Sequence, residues 1–203
     1  GEVTLRITAK AASEAEAWSL IEAKKEEILS IVGEYCYGID DDSLASKLVE
    51  MLLDNGLTIS AAESLTAGLF QSELAEIPGV SSALAGGVVT YSEQAKIEQL
   101  GILPELIAQH GVVSSECAAS MAFNVREKFG THIGVGLTGV AGPGPQDHEP
   151  AGTVWIGLSI GQEKPVTYRL QLSGSRNTNR LRAVKFTCSY LMRKLVEKGY
   201  KKK

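Results

Sequence analysis

The first forty residues carry a pattern of apolar and polar positions that predicts a small βαβ module. Residues 3–9 alternate between apolar and polar side chains, which is the period of a half-buried strand. Ser13 and Glu16 have the spacing of a capping box and predict the start of a long helix. Residues 35–39 predict a second short strand. A module over residues 1–40 has little core of its own, so we expect it to rest on another part of a protein.

Strand and helix patterns alternate along the rest of the chain, over residues 43–198. Apolar runs predict strands at residues 57–62, 87–91, 133–138, 153–160 and 166–172. Amphipathic segments predict helices at residues 43–54, 66–76, 93–100, 104–109, 115–129 and 177–198. Because strands and helices are intermixed, the pattern predicts an α/β fold, with a mixed sheet covered by helices on both faces in three layers. The acidic run 40–42 predicts the boundary with the first module.

The composition is typical of a globular protein, with 44% hydrophobic and 22% charged residues and a net charge of −4. No apolar run approaches the roughly 18 residues of a membrane span, and the first residues do not form a signal peptide. The three cysteines and three histidines lack the spacing of a disulfide framework or a zinc site. We therefore expect a cytoplasmic protein. Because the pattern begins directly after Gly1, we also expect the chain to be part of a longer protein.

Charge is distributed unevenly along the chain. Residues 1–56 contain 12 acidic and 5 basic side chains, a net charge of −7. Residues 176–203 contain 10 basic side chains and one acidic side chain, a net charge of +9. A basic end indicates contact with nucleic acid or anionic ligands. The alternative interpretation is a solvated helix face.

Ser64 lies in the segment 61–68, where a predicted strand runs into a predicted helix. Ligands of α/β proteins gather beyond the carboxyl ends of strands. Free backbone N–H groups at the start of the helix predict a site for an anion or an oxyanion. The alternative is that Ser64 or Thr66 only caps the helix.

Tyr91 ends the next predicted strand, and Lys96 follows about one turn into the next helix. A lysine can act as the general base of a serine if burial lowers its pKa from about 10.4 to about 7–8. We expect Lys96 to face back over the end of the strand. The alternative is an ordinary surface lysine.

A glycine-rich loop follows the predicted strand 133–138, with four glycines among residues 136–144. Glycine lets backbone N–H groups approach a ligand closely, which makes the loop a candidate binding segment. The loop matches neither the dinucleotide-binding fingerprint nor the Walker motif. A structural turn is an equally good interpretation.

Arg176 and Arg180 are four residues apart and share one face of the first turn of the last predicted helix. Positive side chains at a helix N-terminus are unfavourable unless an anion is bound there. This local conflict predicts a phosphate or carboxylate ligand.

Six motifs follow one another along the chain: AESLTAG at 62–68, YSEQAK at 91–96, QHGVVS at 109–114, TGVAGP at 138–143, GTVW at 152–155 and SGSR at 173–176. Together they resemble the C-terminal domain of the competence- and damage-inducible protein CinA. The resemblance covers residues 43–197. Residues 1–40 resemble the KH-type module that precedes this domain.

The resemblance implies a nicotinamide mononucleotide deamidase, an amidohydrolase without metal or cofactor that releases nicotinate mononucleotide and ammonia in pyridine-nucleotide recycling. It implies that Ser64 is the nucleophile, that Lys96 is its base and that Tyr91 assists. It further implies substrate contacts by Thr66, Thr138, Gly139, Gly142, Arg176 and Arg180. Ala67 departs from the family pattern, since many members have glycine there. Its methyl group either narrows the site or, if its φ is negative, is harmless.

The competing hypothesis is a non-catalytic interaction module that binds nucleic acid or a recombination protein such as RecA. Against nucleic acid, the first 56 residues are acidic and contain no Gly-x-x-Gly loop of the KH kind. We favour the enzyme, and we expect a mononucleotide substrate, a homo-oligomer and no contact with a membrane.

Overall fold

The computed structural model describes residues 2–201 and divides into two compact units, Gly1–Ser43 and Leu44–Lys203. Gly1 and the last two lysines lie outside the described residues. In the first unit, helix α1 spans Glu14–Val32 and is followed by a short 3-10 turn. Ser13 caps α1, because its hydroxyl accepts a hydrogen bond from the backbone N–H of Glu16 at 3.3 Å. The helix and its cap are therefore as the capping-box spacing predicted.

The two segments predicted as strands beside α1 differ from the prediction. Within residues 2–201, neither 3–9 nor 35–39 forms a strand. A strand is stabilised by hydrogen bonds to a neighbour, and two short strands are only marginally stable by themselves. Side-chain alternation is a local property that supplies no pairing partner, and for this reason it misled the prediction.

A five-stranded sheet forms the centre of the second unit. Its strands are β1 Ile59–Glu63, β2 Leu84–Val89, β3 Ile133–Gly139, β4 Thr153–Ile160 and β5 Val166–Gln171. The order across the sheet is β2-β1-β3-β4-β5, with β1 parallel to β2 and β3. Strand β4 is antiparallel to both β3 and β5. The sheet is therefore mixed, as the sequence predicted.

Helices cover both faces of this sheet. They are α2 Leu44–Asp54, α3 Leu69–Ala75, α4 Glu93–Leu100, α5 Pro104–His110, α6 Ser115–Phe129 and α7 Arg176–Glu197. Helix α6 lies across one face with α4 and α5 against it, whereas α2, α3 and α7 pack together on the other. The three-layer α/β prediction is confirmed. Among residues 2–201, no helix is long and apolar enough to cross a membrane.

Small residues let α6 lie close against the sheet. Gly136 and Gly157 are paired on β3 and β4, and an added Cβ atom would approach the carbonyl oxygen of Ala118 to 2.4 and 2.1 Å respectively. On β1, the buried hydroxyl of Ser60 donates to the carbonyl oxygen of Val125 at 3.1 Å. Glycine at these two positions is therefore required by the close approach of a backbone rather than by a turn.

The carboxyl ends of the three parallel strands meet at one edge of the sheet. Glu63, the last residue of β1, pairs with Val89 at the end of β2 and with Leu137 near the end of β3. The serine, lysine and glycine-rich segments all begin just beyond these ends. The fold thus brings three distant segments of the sequence to one place.

Candidate active site

Ser64 is held at the end of β1 by the neighbouring strand and by a lysine. Its backbone N–H donates to the carbonyl oxygen of Leu137 at 2.8 Å, which continues the pairing of β1 with β3. Its Oγ accepts a hydrogen bond from Lys96 Nζ at 3.1 Å. Only 7% of Ser64 is exposed. The two side chains predicted to act together are therefore in direct contact.

Lys96 occupies the first turns of α4 and points back over the end of β2. Ser92 fixes the start of this helix, because its Oγ accepts from the backbone N–H of Ala95 at 3.1 Å. Lys96 Nζ also donates to the carbonyl oxygen of Thr90 at 3.0 Å. The side chain is 1% exposed, so the ordinary-surface-lysine alternative does not apply.

Burial lowers the pKa of Lys96 below its ordinary value of 10.5, because the ammonium form loses its hydration. The charges of Asp147 and Glu93 act in the opposite direction and offset part of this effect. Burial also raises the pKa of the Cys117 thiol to about 11, with the nearby lysine opposing the rise. The thiol therefore stays protonated near neutral pH, and the amine is the group suited to accept a proton.

The turn after Ser64 is closed by a buried carboxylate that the sequence reasoning did not single out. Glu63 accepts hydrogen bonds from the backbone N–H groups of Gly68 at 3.0 Å, Phe70 at 3.1 Å and Gln71 at 3.0 Å. These are N–H groups at the start of α3, which begins later than predicted. They are already occupied, so they do not form the anion site predicted at this helix start.

Ala67 lies within this turn at a φ of 50°, in the left-handed region. The condition under which its methyl group would be harmless, a negative φ, is not met. The following residue, Gly68, has a φ of 90°. A turn with two consecutive positive φ values explains why glycine suits position 67 better than alanine.

Replacing Ala67 by glycine is expected to stabilise the protein. The left-handed conformation costs an L-residue roughly 1–2 kcal/mol, and the greater freedom of glycine in the unfolded chain offsets about 0.4–1 kcal/mol of the gain. A net gain of about 1 kcal/mol corresponds to a rise in Tm of roughly 2–4 °C. Thermal unfolding measures it, with Ala62→Gly in β1 as the control that should lower Tm. A lower Tm for Ala67→Gly would contradict the strain argument.

Arg180 contacts the same turn from α7. Its Nε donates to the carbonyl oxygen of Leu65 at 3.1 Å, and its Nη2 donates to that of Thr66 at 2.8 Å. Thr66 is fully buried, and its hydroxyl has no hydrogen-bond partner. Neither Arg180 nor Thr66 lines the cavity beside Ser64. Both predicted substrate-binding residues therefore lie behind the turn.

A cavity of about 250 Å³ opens beside the serine and the lysine. Seven of the nine residues singled out from the sequence line it, namely Ser64, Tyr91, Lys96, Thr138, Gly139, Gly142 and Arg176. The hydroxyl of Thr138 donates to the carbonyl oxygen of Val112 at 2.6 Å, so this group ties the loop to the segment before α6. The glycine-rich loop supplies a large part of the wall.

Arg176, the first residue of α7, lies at the exposed side of this cavity. Its Nη1 donates to the carbonyl oxygen of Gly142 at 3.1 Å, and its Nη2 donates to the hydroxyl of Tyr91. The guanidinium group therefore joins the tyrosine segment to the glycine-rich loop. It is a cationic side chain placed where an anionic group of a ligand could reach it.

The sequence did not predict three further polar residues of the site. Asp147 lines the cavity and accepts from the backbone N–H of Val112 at 3.1 Å, and Glu93 lines it as well. The buried amide of Asn179 donates to the carbonyl oxygen of Ala141 at 3.1 Å and so fixes the loop. No local pattern marks Asp147, because its contact with Val112 joins residues that are distant in the sequence. Within residues 2–201, no group of three or more His, Cys, Asp or Glu side chains could hold a metal ion.

The fold and the site together define a three-layer α/β protein with a serine–lysine pair at the carboxyl ends of its parallel strands. The family model of the CinA C-terminal domain matches residues 41–195. The model of the damage-inducible protein CinA KH domain matches residues 1–38. The chain belongs to the CinA family.

Relatives of the chain carry the corresponding names. A competence-damage inducible protein of Lysinibacillus sphaericus is 70% identical over 203 residues, which are 100% of this chain and 48% of the relative. Another from Geobacillus kaustophilus is 45% identical over 195 residues, which are 96% of this chain and 47% of the relative. The chain thus spans about half the length of the curated relatives it matches.

Solved structures share the fold. The crystal structure of a competence-damaged protein (CinA) superfamily protein from Klebsiella pneumoniae has a TM-score of 0.73 and 30% identity, and covers 76% of this chain and 96% of that one. A protein of the same superfamily from Escherichia coli has a TM-score of 0.71 and 28% identity, and covers 79% of this chain and 96% of that one. Both neighbours match over nearly their entire length.

Proposed function

We propose that the chain is a metal-independent amidohydrolase that converts nicotinamide mononucleotide to nicotinate mononucleotide and ammonia. The observation that carries the proposal is the contact of 3.1 Å between Ser64 Oγ and Lys96 Nζ beside a cavity. A serine needs a base to become a nucleophile, and a dehydrated lysine is one of the groups that can serve. Burial lowers the pKa of Lys96 in the direction that this role requires.

The reaction proceeds in two steps, transfer of the acyl group to Ser64 and hydrolysis of the resulting ester. Neutral Lys96 accepts the hydroxyl proton of Ser64 while Oγ bonds to the amide carbon, and the carbonyl becomes an oxyanion. The C–N bond then breaks as the Lys96 ammonium returns its proton to the leaving nitrogen, which departs as ammonia. Water, deprotonated by Lys96, attacks the resulting ester, and the C–O bond to Ser64 breaks with return of the proton to Oγ. The products are the carboxylic acid and the free enzyme.

The charges around the cavity suit a dipolar ligand. Arg176 offers a guanidinium group for the phosphate of a mononucleotide. Glu93 and Asp147 offer carboxylates, which would favour the cationic pyridinium ring of the same substrate. A neutral amide would gain from neither set of charges. This complementarity supports a mononucleotide over a simple amide.

Ammonia release tests the proposal directly. The chain is incubated with the mononucleotide, its riboside or free nicotinamide, and retention on single-stranded DNA is measured at low salt. We expect the fastest release of ammonia from the mononucleotide, slower release from the riboside and the slowest from nicotinamide. Absence of ammonia together with retention on DNA would favour the interaction module instead. Contact with a recombination protein and homo-oligomerisation stay predictions.

Substitution of Arg176 by alanine is expected to lower kcat/KM for the mononucleotide far more than kcat/KM for the riboside, which has no phosphate. A charge-assisted contact of about 1.5–3 kcal/mol corresponds to a loss in kcat/KM of roughly ten- to more than a hundredfold. The riboside is the internal control, and both values come from initial rates. Equal losses on the two substrates would mean that Arg176 acts through Tyr91 and the loop rather than on phosphate.

A further inference from the structure

We propose that Arg180 is a positioning residue that holds the nucleophile turn, and that it does not bind substrate. The nucleophile turn comprises residues 64–68. This proposal rests on the proposed amidohydrolase function, and it reverses the expectation that Arg180 contacts the substrate.

The hydrogen bonds of Arg180 carry the argument. Its Nε and Nη2 donate to the carbonyl oxygens of Leu65 and Thr66, the two residues directly after the nucleophile, at 3.1 and 2.8 Å. Its remaining terminal nitrogen, Nη1, donates to the side chain of Asn177 at 3.4 Å. The Nε–Nη2 edge of the guanidinium, which could otherwise bind a phosphate, therefore faces the protein backbone. Arg180 is half-buried and absent from the cavity lining.

Glu63 holds the same turn from its other end. Its carboxylate accepts from the backbone N–H groups of Gly68, Phe70 and Gln71, whereas Arg180 donates to the turn's carbonyl oxygens. The Glu63 carboxylate thus binds backbone N–H groups at one end of the turn, and the Arg180 guanidinium binds backbone carbonyl oxygens at the other. The turn needs such restraint, because it contains a left-handed alanine that favours other conformations.

The restraint matters because the contact between Ser64 Oγ and Lys96 Nζ is a single hydrogen bond of 3.1 Å. Ser64 is directly joined to Leu65, whose carbonyl Arg180 holds. A misplacement of reacting groups by about 1 Å can lower a rate roughly a hundredfold. Lysine in place of Arg180 keeps the charge but cannot reproduce two parallel N–H donors. We therefore expect Arg180→Lys to be nearly as impaired as Arg180→Ala.

The test compares Arg180→Ala and Arg180→Lys with Arg182→Ala. Arg182 is the matched control, since it is a half-buried arginine of the same helix that donates to the carbonyl oxygen of Ser173 at 3.1 Å, away from the nucleophile turn. Two readouts are used: kcat and KM on mononucleotide and riboside, and the rate at which phenylmethanesulfonyl fluoride modifies Ser64. Phenylmethanesulfonyl fluoride contains neither a phosphate nor an amide. Added guanidinium ion is tested for rescue of Arg180→Ala.

We expect both Arg180 variants to lose roughly ten- to a hundredfold in kcat, equally on the two substrates and with KM unchanged. Sulfonylation of Ser64 should slow in proportion, guanidinium ion should restore part of both rates, and Arg182→Ala should match the wild type. A loss confined to KM for the mononucleotide, or unchanged sulfonylation, would overturn the proposal. If Arg180→Ala fails to fold, the Arg180→Lys result decides. If the wild type releases no ammonia but sulfonylation still depends on Arg180, the proposed function fails and the positioning role stands.

Discussion

Replacement of Ser64 by alanine is expected to lower ammonia release by about 10⁴-fold or more, since loss of a serine nucleophile removes the covalent route entirely. The fold should survive. The backbone N–H of Ser64 still pairs with Leu137, and alanine loses only the hydroxyl that accepts from Lys96 and donates to the carbonyl oxygen of Tyr91 at 3.5 Å. Initial rates and thermal unfolding of the same preparation measure the two effects.

Ser60→Ala provides the matched control for this variant. Ser60 lies on β1, the strand that Ser64 directly follows, and its buried hydroxyl contacts Val125 and Thr131 rather than the cavity. We expect this change to cost about 1–3 kcal/mol of stability, because it leaves buried groups unpaired, while kcat stays close to that of the wild type. Ammonia release at the wild-type rate by folded Ser64→Ala would remove Ser64 from the role of nucleophile.

Replacement of Lys96 by methionine or arginine should lower kcat by about 10²- to 10⁴-fold, the usual contribution of a general base. Arginine retains the positive charge but cannot lose a proton near neutral pH, so it should be almost as impaired as methionine. Lys194, a half-buried lysine paired with Glu197 outside the cavity lining, supplies the control variant Lys194→Met, which should keep its activity. High activity in Lys96→Arg would make Lys96 a charge anchor, with Tyr91 the next candidate for the base.

The lowered pKa of Lys96 also predicts how the free energy of unfolding varies with pH. Its pKa is lower in the folded than in the unfolded protein, so the unfolded chain binds more protons between the two values. The stability of the wild type should therefore rise with pH across that interval, up to the ordinary value of 10.5. Lys96→Met should lose this part of the pH dependence and be more stable near neutral pH. Urea unfolding of both proteins between pH 6 and about 10 measures the difference; parallel curves would contradict it.

The sequence by itself determined most of the elements of the second unit and the convergence of its catalytic candidates. Apolar runs and helical periods follow directly from which side chains face the core, so β4 and α6 lie where the pattern predicted them. Parallel strands bring their carboxyl ends to one edge. The sequence alone therefore predicts that Ser64, Tyr91 and Lys96 lie together.

Only the tertiary structure decided which arginine faces the cavity and which holds the turn. Arg176 and Arg180 share one helix face, and their sequence context assigns the same role to both. The approach of α7 to the nucleophile turn separates them, because it brings Arg180 onto the carbonyl oxygens of Leu65 and Thr66. For the same reason, the sequence did not predict the hydrogen bonds of Glu63. It also did not show that residues 3–9, within the part of the chain that the structure describes, form no strand. Long-range hydrogen bonds depend on which segments meet in space, and side-chain periodicity carries no information about that.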